Sequence, residues 1–268
     1  MVQKNPEPFF ENPQHKNYIS MNAVHHTITF VGAGPGAADL ITLRGVNALA
    51  QAQVVLYDAL IDHGVLSHAH PDAILIDVGK RGVKNASCSE SKKQADINAA
   101  LIQYGVQYER VVRLKGGDPA IFGRLDEEID AIVSVGLNYE IVPGVSSALA
   151  AAASAQTALT RRGVARSVRL LTASVGDDQP DNLWHTHLAP SETLVFYMGG
   201  QRRQAIAHIL LEKSFAPDTP VIMVFGASWS EEAIVRLTLS ELAHDQTQPQ
   251  HAAPCIILVG AGLRTVSS

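Results

Sequence analysis

Residues 110–124 read RVVRLKGGDPAIFGR, and this stretch decides the predicted fold. The apolar, β-prone residues 111–114 run up to Gly116 and Gly117, and a charged segment with helical spacing follows Gly123. The pattern predicts a strand, a bare backbone loop and a helix. Adjacent glycines let the main chain adopt positive φ and let a ligand approach without interference from a Cβ atom. In an open α/β sheet such a loop lies at the carboxyl end of a strand, where ligands bind, although a tight turn without a ligand would leave the same pattern.

A second glycine-rich loop follows the first predicted strand, residues 27–31. Residues 32–37 satisfy the dinucleotide fingerprint G-x-G-x-x-G/A, and Asp58 ends the second predicted strand, where an acid that binds a ribose would lie. A nicotinamide-dependent oxidoreductase is therefore an open alternative. Pro35 weakens this alternative, because proline removes a backbone N–H from the loop that would cradle the pyrophosphate. The loop at residues 116–118 also has no role in a dinucleotide site.

Strands and helices alternate from residue 27 to residue 142, which predicts an α/β fold with a mostly parallel sheet. Pro143 and Gly144 indicate the start of a second α/β domain with a parallel or mixed sheet, and a ligand is expected in the cleft between the two. We expect a disordered tail at residues 1–24, an N-terminal α/β domain at residues 25–142 and a C-terminal α/β domain at residues 143–268.

Two predicted helices carry specific expectations about their ends and inner faces. Thr42 or Asp39 is the expected N-cap of the first helix, and Ser91 that of the second, which is predicted to run through Tyr104. The residues predicted to face the core are Leu43, Val46, Leu49 and Ala50 in the first helix and Ala95, Asn98, Leu101 and Ile102 in the second.

The composition argues against several classes of protein. With 268 residues, 46% of them hydrophobic and 18% charged, the chain is globular. No apolar stretch approaches the ~20 residues that span a bilayer, and the N-terminus has no signal-peptide core. The net charge of −5 argues against nucleic acid as the main partner. Cys88 and Cys255 form neither a disulfide framework nor a metal site, so a cytoplasmic protein without a bound metal is expected.

Seven motifs together resemble the tetrapyrrole methylase family over residues 26–262. They are VGAGPG (31–36), VVLYDAL (54–60), VGKRG (78–82), VVRLKGGDPAIFGR (111–124), VPGVSSA (142–148), LTRRG (159–163) and LVFYMGG (194–200). The resemblance implies two α/β domains, a homodimer, and S-adenosylmethionine bound in the interdomain cleft. Within the family, the chain is most similar to members that methylate uroporphyrinogen III at C2 and C7. Their product is precorrin-2, a precursor of sirohaem and cobalamin.

The resemblance also implies roles for individual residues. Asp58 would accept a proton and Lys80 would donate one, whereas without the resemblance Asp58 could equally be a helix cap and Lys80 a solvated charge. The residues expected to bind the methyl donor are Pro35, Gly116, Gly117, Asp118, Ile121, Ser146, Ser147, Met198 and Ala227. Because the substrate carries many carboxylates, arginines should line its face. The candidates are Arg81, Arg113, Lys115, Arg124, Arg161, Arg162 and Arg166, among which Arg161 and Arg162, in a loop expected opposite the donor site, are preferred.

The chain departs from the family pattern mainly on the side expected to face the macrocycle. Ala120 stands where an aromatic residue is usual, and Leu125 and Asp126 replace two glycines. Arg161 replaces a histidine, and Ser174 another. These differences leave the exact tetrapyrrole open, with a later corrin precursor as the first alternative. A dehydrogenase–chelatase module of the kind fused to some family members is not expected here, so other chains would complete the pathway.

Overall fold

The computed structural model of this chain describes residues 26–59, 61–79, 90–173, 183–245 and 253–264. The predicted tail at residues 1–24 lies outside these ranges, and so do the candidate site residues Lys80 and Arg81, together with Cys88 and Ser174. No helix within the described ranges is long and apolar enough to cross a membrane.

The first sheet consists of five parallel strands, as the alternating pattern predicts. They are β1 (Thr27–Gly32), β2 (Val54–Tyr57), β3 (Ile74–Asp77), β4 (Arg110–Lys115) and β5 (Asn138–Val142). Their spatial order is β3-β2-β4-β1-β5. The helices of this half are α1 (Leu43–Gln51), α2 (His63–Leu66), α3 (Glu90–Gln107) and α4 (Leu125–Val133).

Helices cover both faces of this sheet. On one face, Phe30 of β1 packs in a buried cluster with Leu101 of α3 and Ile132 of α4. On the other face, Val31 packs in a cluster with Leu49 of α1 and with residues of α2. A parallel sheet buried on both faces favours apolar strands, which explains the valines and leucines of β2 and β4, although Arg113 interrupts the apolar run of β4.

The inner face of α1 differs from the prediction. Thr42 is the N-cap, and its Oγ1 accepts a hydrogen bond of 3.1 Å from the Gly45 N–H. The buried residues are Gly45 and Leu49, whereas Leu43 is 84% exposed and Ala50 is also exposed. The cause is close packing at the glycine, where an added Cβ would lie 3.0 Å from a side-chain atom of Val31. The helix therefore approaches the sheet on its glycine side, which a search for apolar residues does not find.

Helix α3, the second helix for which an inner face was predicted, also approaches the sheet on a glycine. It begins at Glu90, so Ser91 lies inside the helix and is not the N-cap. Leu101 is buried as predicted, but Ala95 is exposed and Gln94 is buried in its place. Gly105 packs against the first sheet, where an added Cβ would lie 2.9 Å from a side-chain atom of Ile28.

The second sheet is mixed. Its strands are β6 (Ser167–Thr172), β7 (Glu192–Tyr197), β8 (Pro220–Phe225), β9 (Ala233–Thr238) and β10 (Cys255–Val259). The order is β6-β7-β10-β8-β9, in which only β6 and β7 are parallel. The helices of this half are α5 (Ser147–Ser154), α6 (Arg203–Glu212) and α7 (Leu239–His244).

Successive residues of β7 point to opposite faces of the second sheet. Phe196 packs in the cluster that contains α6 and α7, and Val195 packs in the cluster that contains the alanines of α5. The chain passes from the first sheet to the second at residues 143–146, between β5 and α5. The division into two folding domains at this point stays a prediction.

Candidate active site

The chain places a crevice between β1 and β4, at the carboxyl ends of both strands. From β1 the chain crosses β4 to reach β2, whereas from β4 it crosses β1 to reach β5. The two connections therefore leave neighbouring strands in opposite directions, and this switch point is where open α/β sheets bind ligands. The loop after β1, residues 32–36, and the loop after β4, residues 116–119, meet there. We call them the GAGPG loop and the GGDP loop.

Backbone contacts join the two loops. Gly117 donates a hydrogen bond of 2.7 Å from its N–H to the carbonyl of Gly34, and the Gly34 N–H donates one of 3.3 Å in return. An added Cβ on Gly32 would lie 2.5 Å from the Cα of Gly144, so main-chain segments from three places in the sequence touch here. Gly117 has a φ of 67°, which side-chain-bearing residues rarely adopt. The glycines are therefore required by the packing of the crevice.

Asp118 holds the GGDP loop in place. Its Oδ1 accepts a hydrogen bond of 2.9 Å from the Ala120 N–H, and its Oδ2 accepts one of 3.0 Å from the Gly144 N–H. Each carboxylate oxygen thus already has one backbone partner. Each oxygen can accept a further hydrogen bond, so the prediction that Asp118 binds a hydroxyl or amino group of a ligand is compatible with these contacts.

A cleft of about 510 Å³ opens at the switch point and extends to the second sheet. Every residue predicted to bind the methyl donor lines it: Pro35, Gly116, Gly117, Asp118, Ile121, Ser146, Ser147, Met198 and Ala227. Asp58 lines it too. The structure therefore brings together, in one cleft, residues from both halves of the chain that belong to separate sequence motifs.

Two aromatic residues and a methionine form the wall of the cleft on the side of the second sheet. The rings of Phe122 and Tyr197 meet edge to face with centroids 4.9 Å apart, and the Tyr197 hydroxyl lies 2.6 Å from the Ser146 hydroxyl. Burial raises the pKa of Tyr197, against the opposing effect of its hydrogen bond with Ser146. Met198 is 56% exposed, and both Phe122 and Met198 have φ near 55°. Backbone strain of this kind clusters at functional sites.

The loop after β8, residues 226–232, connects the second sheet to the GAGPG loop. Trp229 Nε1 donates a hydrogen bond of 3.1 Å to the Pro35 carbonyl, and the Ala37 N–H donates one of 3.0 Å to Ser228 Oγ. The carboxylate of Glu232 accepts from the Ser228 N–H at 2.7 Å and so shapes the loop. Sequence reasoning missed Ser228 and Trp229, because they lie more than 190 residues from their partners and carry no local motif.

Four charged side chains form a cluster at the base of the cleft, in which Arg113, Lys115 and Glu128 are buried and Asp58 is partly exposed. Arg113 Nη2 lies 2.6 Å from Asp58 Oδ1 and 3.0 Å from Glu128 Oε1, and Lys115 Nζ lies 2.9 Å from Glu128 Oε2. Burial lowers the pKa of Arg113, but the two carboxylates outweigh it and the net shift is upward. Burial lowers the pKa of Lys115, and the charge of Arg113 adds to that effect. Two cations and two anions balance, as a buried cluster requires.

This cluster corrects the interpretation of Arg113 as a substrate-binding arginine. Its side chain is 2% exposed and its guanidinium is committed to Asp58 and Glu128. Lys115 lines the cleft, but its ammonium is bound to Glu128. Glu128 was not predicted as a site residue, since a charged residue in a helix is usually a surface residue. Its position in the buried cluster depends on how α4 packs against β4.

The remaining substrate arginines have different positions. Arg124 borders a groove of about 350 Å³ beside the cleft, and its Nε and Nη2 are hydrogen-bonded to Glu127. Arg161 and Arg162 are exposed and do not line the cleft. Arg161 lies beside Gly262, beyond the carboxyl end of β10, whose opposite end at Cys255 lines the cleft. Because β10 is about 16 Å long, Arg161 lies beyond the end of that strand that is remote from the cleft, and not opposite the donor-binding residues as expected.

The fold is that of an α/β protein with a cleft at a topological switch point, the place where open α/β sheets bind small molecules. Residues 27–243 match the family of Tetrapyrrole (Corrin/Porphyrin) Methylases, and the chain belongs to this family. The family match supports the methylase interpretation over the nicotinamide-dependent one. It also confirms the resemblance drawn from the seven motifs.

Individual relatives narrow the comparison. The siroheme synthase of Edwardsiella ictaluri is 39% identical over 234 residues, which are 87% of this chain and 49% of that protein. The chain thus spans about half the length of the curated relatives it matches.

Solved structures match over most of their length. The native uroporphyrin III C-methyl transferase of Thermus thermophilus has 35% identity and a TM-score of 0.74, over 88% of this chain and 97% of its own. The complex with S-adenyl homocysteine has 33% identity and a TM-score of 0.70, over 87% and 92%. A cobalt precorrin-4 methyltransferase has 29% identity and a TM-score of 0.77, over 92% and 100%.

Proposed function

We propose that this protein is an S-adenosylmethionine-dependent methyltransferase with its methyl-donor site in the cleft. The observation that carries the proposal is the convergence of all nine predicted donor-binding residues on that cleft. The Thermus thermophilus relative with bound S-adenyl homocysteine supports the same class of ligand.

The residues of the cleft fit such a ligand. An added Cβ on Gly116 would have no heavy atom of the described residues within 4 Å, so this side of the GGDP loop backbone has room for a ligand. Ile121 and Met198 provide apolar contacts for an adenine ring or a thioether. The cleft volume of about 510 Å³ lies within the range of roughly 300–1,000 Å³ for small-molecule sites. When bound, S-adenosylmethionine supplies a methyl group on a positively charged sulfur atom.

Asp58 is the proposed proton acceptor. Transfer of a methyl cation from sulfur to a ring carbon leaves the macrocycle with one extra positive charge, which is balanced by loss of one proton from the macrocycle, so a base is needed beside it. Asp58 lines the cleft, and its described contact with Arg113 uses only Oδ1. The carboxylate therefore keeps capacity to accept a proton at Oδ2. Lys80, the proposed proton donor, lies outside the described residues, and its role rests on the family resemblance.

The proposed reaction is methylation of uroporphyrinogen III at C2 and C7 to give precorrin-2. The names of the Thermus thermophilus and Edwardsiella ictaluri relatives support this substrate and a role in sirohaem or cobalamin synthesis. A later corrin precursor is the second candidate. It is favoured by the likeness to cobalt precorrin-4 methyltransferase and by the unusual residues Ala120 and Arg161. We also propose that the protein is cytoplasmic and forms a homodimer. Light scattering would measure the number of chains in the assembly.

The deciding experiment is an anaerobic incubation with uroporphyrinogen III and methyl-labelled S-adenosylmethionine, followed by mass spectrometry over time. We expect a singly methylated species and then a doubly methylated product. If S-adenosylmethionine binds but uroporphyrinogen III gains no methyl group, the substrate assignment is wrong and later corrin precursors replace it. If S-adenosylmethionine does not bind and a nicotinamide nucleotide does, the methyltransferase proposal itself is wrong.

A further inference from the structure

The guanidinium of Arg113 is hydrogen-bonded to groups of the protein on every side. It lies on β4 beneath the cleft, and its side chain is 2% exposed. Its Nε donates to Glu128 Oε1 at 3.2 Å, its Nη1 to the Leu114 carbonyl at 3.2 Å, and its Nη2 to both Asp58 and Glu128. All three nitrogen atoms are therefore engaged, and the plane of the guanidinium is fixed.

The two carboxylates bound to Arg113 differ in what they reach. The Glu128 side chain is 1% exposed and is held on its other oxygen by Lys115. The Asp58 side chain is 31% exposed and lines the cleft. Asp58 follows β2, which lies next to β4 in the sheet, so Arg113 reaches it directly across neighbouring strands. The contact of 2.6 Å thus connects a fixed, buried group to a group at the cleft surface.

We propose that Arg113 is a positioning residue that fixes the carboxylate of Asp58 in the cleft for proton removal. This inference rests on the proposed function. Glu128 anchors the guanidinium, and Lys115 balances the second carboxylate, so the orientation of Arg113 does not depend on Asp58. An arginine is suited to this task because its planar fork can serve two carboxylates at once, which a lysine ammonium does less well.

The test is a double-mutant cycle on the rate of methyl transfer. The variants are Arg113→Lys, Asp58→Asn and the two combined, compared by steady-state kinetics over a range of methyl-donor concentrations. Arg113→Lys keeps the charge but loses the fork, so we expect kcat to fall by about 10- to 100-fold, the cost of a misplaced catalytic group, with the KM for the methyl donor unchanged. In the Asp58→Asn background, Arg113→Lys should cause no further loss. Non-additivity of this kind identifies residues that act through one another.

Arg169→Lys is the matched control. Arg169 also donates to a carboxylate, Glu192, at 3.0 Å, but β6 and β7 begin there, at the end of the second sheet away from the cleft. We expect this variant to keep wild-type kcat. If Arg113→Lys does not fold, Glu128→Gln, which keeps the side-chain shape, loosens the anchor of Arg113 and should show a smaller loss of kcat with the same non-additivity.

The outcomes separate the two proposals. If wild-type protein methylates but the losses of Arg113→Lys and Asp58→Asn multiply, Arg113 has only a structural role and this inference is overturned. An unchanged kcat in Arg113→Lys overturns it as well. If wild-type protein transfers no methyl group to any tetrapyrrole, the proposed function has failed, and the positioning role falls with it.

Discussion

At the scale of single residues, the two glycines of the GGDP loop have different reasons to be glycine. Gly117 has a positive φ of 67°, so any other residue there strains the backbone. Gly116 has no positive φ, and no atom of the described residues lies within 4 Å of an added Cβ. The described part of the chain therefore leaves room for a side chain at Gly116, and we expect a ligand in the cleft to compete for that room.

Gly116→Ala uses this difference to locate the ligand. We expect the variant to fold with a stability within about 1 kcal/mol of wild type, because alanine reduces the entropy of the unfolded chain and meets no protein atom. We also expect its affinity for S-adenosylmethionine to fall at least tenfold, or about 1.4 kcal/mol, because the methyl group occupies ligand space. Thermal unfolding and titration calorimetry check the two parts. Wild-type affinity would place the ligand elsewhere in the cleft.

Cys255 lines the cleft, but its thiol is expected to be unreactive. Burial raises the pKa of its thiol from 9.0 to about 12. Since only the thiolate is nucleophilic, we expect the native protein to resist alkylation of Cys255 at pH 8–9 and to react after unfolding in urea. Because the pKa of this thiol is raised in the folded state, the contribution of the buried neutral thiol to the free energy of unfolding is complete below pH 9. This contribution is lost as the pH rises towards 12, since the thiol ionises more readily in the unfolded chain. Mass-spectrometric labelling of a Cys88→Ser variant isolates this thiol, and fast native labelling would contradict the prediction.

At the scale of elements, the 226–232 loop holds the second sheet to the GAGPG loop through Trp229. Its indole also packs on Gly36, where an added Cβ would strike the ring. This contact adds to the hydrogen bond from the Ala37 N–H to Ser228 Oγ, which also joins the two loops. The geometry of the cleft, the proposed methyl-donor site, therefore depends on a residue that is remote in sequence from both glycine loops.

Trp229→Phe keeps an aromatic ring but removes the donor to the Pro35 carbonyl. We expect a loss of about 1 kcal/mol in the free energy of unfolding, the net value of one such hydrogen bond, and a several-fold weaker affinity for S-adenosylmethionine. Urea denaturation and calorimetry measure the two effects. Trp184→Phe is the control, because Trp184 packs on Phe196 in the second-sheet core and should not alter the affinity. Equal losses of affinity in both variants would count against the loop as a connector.

The helices and strands also show which features of the fold could be predicted from the sequence. The strands and both glycine loops follow from local patterns, because apolar runs and glycine pairs have few structural solutions. Arg113 was misjudged because its partner Glu128 lies in the next helix, and the pairing depends on the rotation of α4 about its axis. The inner faces of α1 and α3 were misjudged because Gly45 and Gly105, with no side chain, mark the closest approach to the sheet. Such contacts depend on tertiary packing, which no local pattern contains.

At the scale of the whole molecule, the cleft takes its walls from both sheets. The candidate donor-binding residues run from Pro35 in the first half to Ala227 in the second. A ligand bound between them contacts both halves at once. Its binding energy therefore adds to the stability of the complete fold, since the unfolded chain has no such site.

S-adenosylmethionine should accordingly raise the melting temperature of the whole protein. At about 100 times the dissociation constant, the gain of about 2.7 kcal/mol predicts a shift of roughly 5–10 °C for a chain of this size. Differential scanning calorimetry measures the shift, and the transition should stay single. NAD serves as the comparison ligand and should leave the melting temperature unchanged. The reverse result would favour the nicotinamide-dependent alternative.

The crossing of Gly32, Gly117 and Gly144 has a consequence for anyone who wishes to re-engineer this protein. Side chains added at Gly32 or Gly144 would collide with main-chain atoms, which cannot rotate away as the tip of a side chain can. Attempts to broaden the range of accepted molecules should therefore leave this crossing untouched in a mutant library. Diversity is better introduced on the opposite wall, at Phe122 and Met198, where the side chains are already exposed.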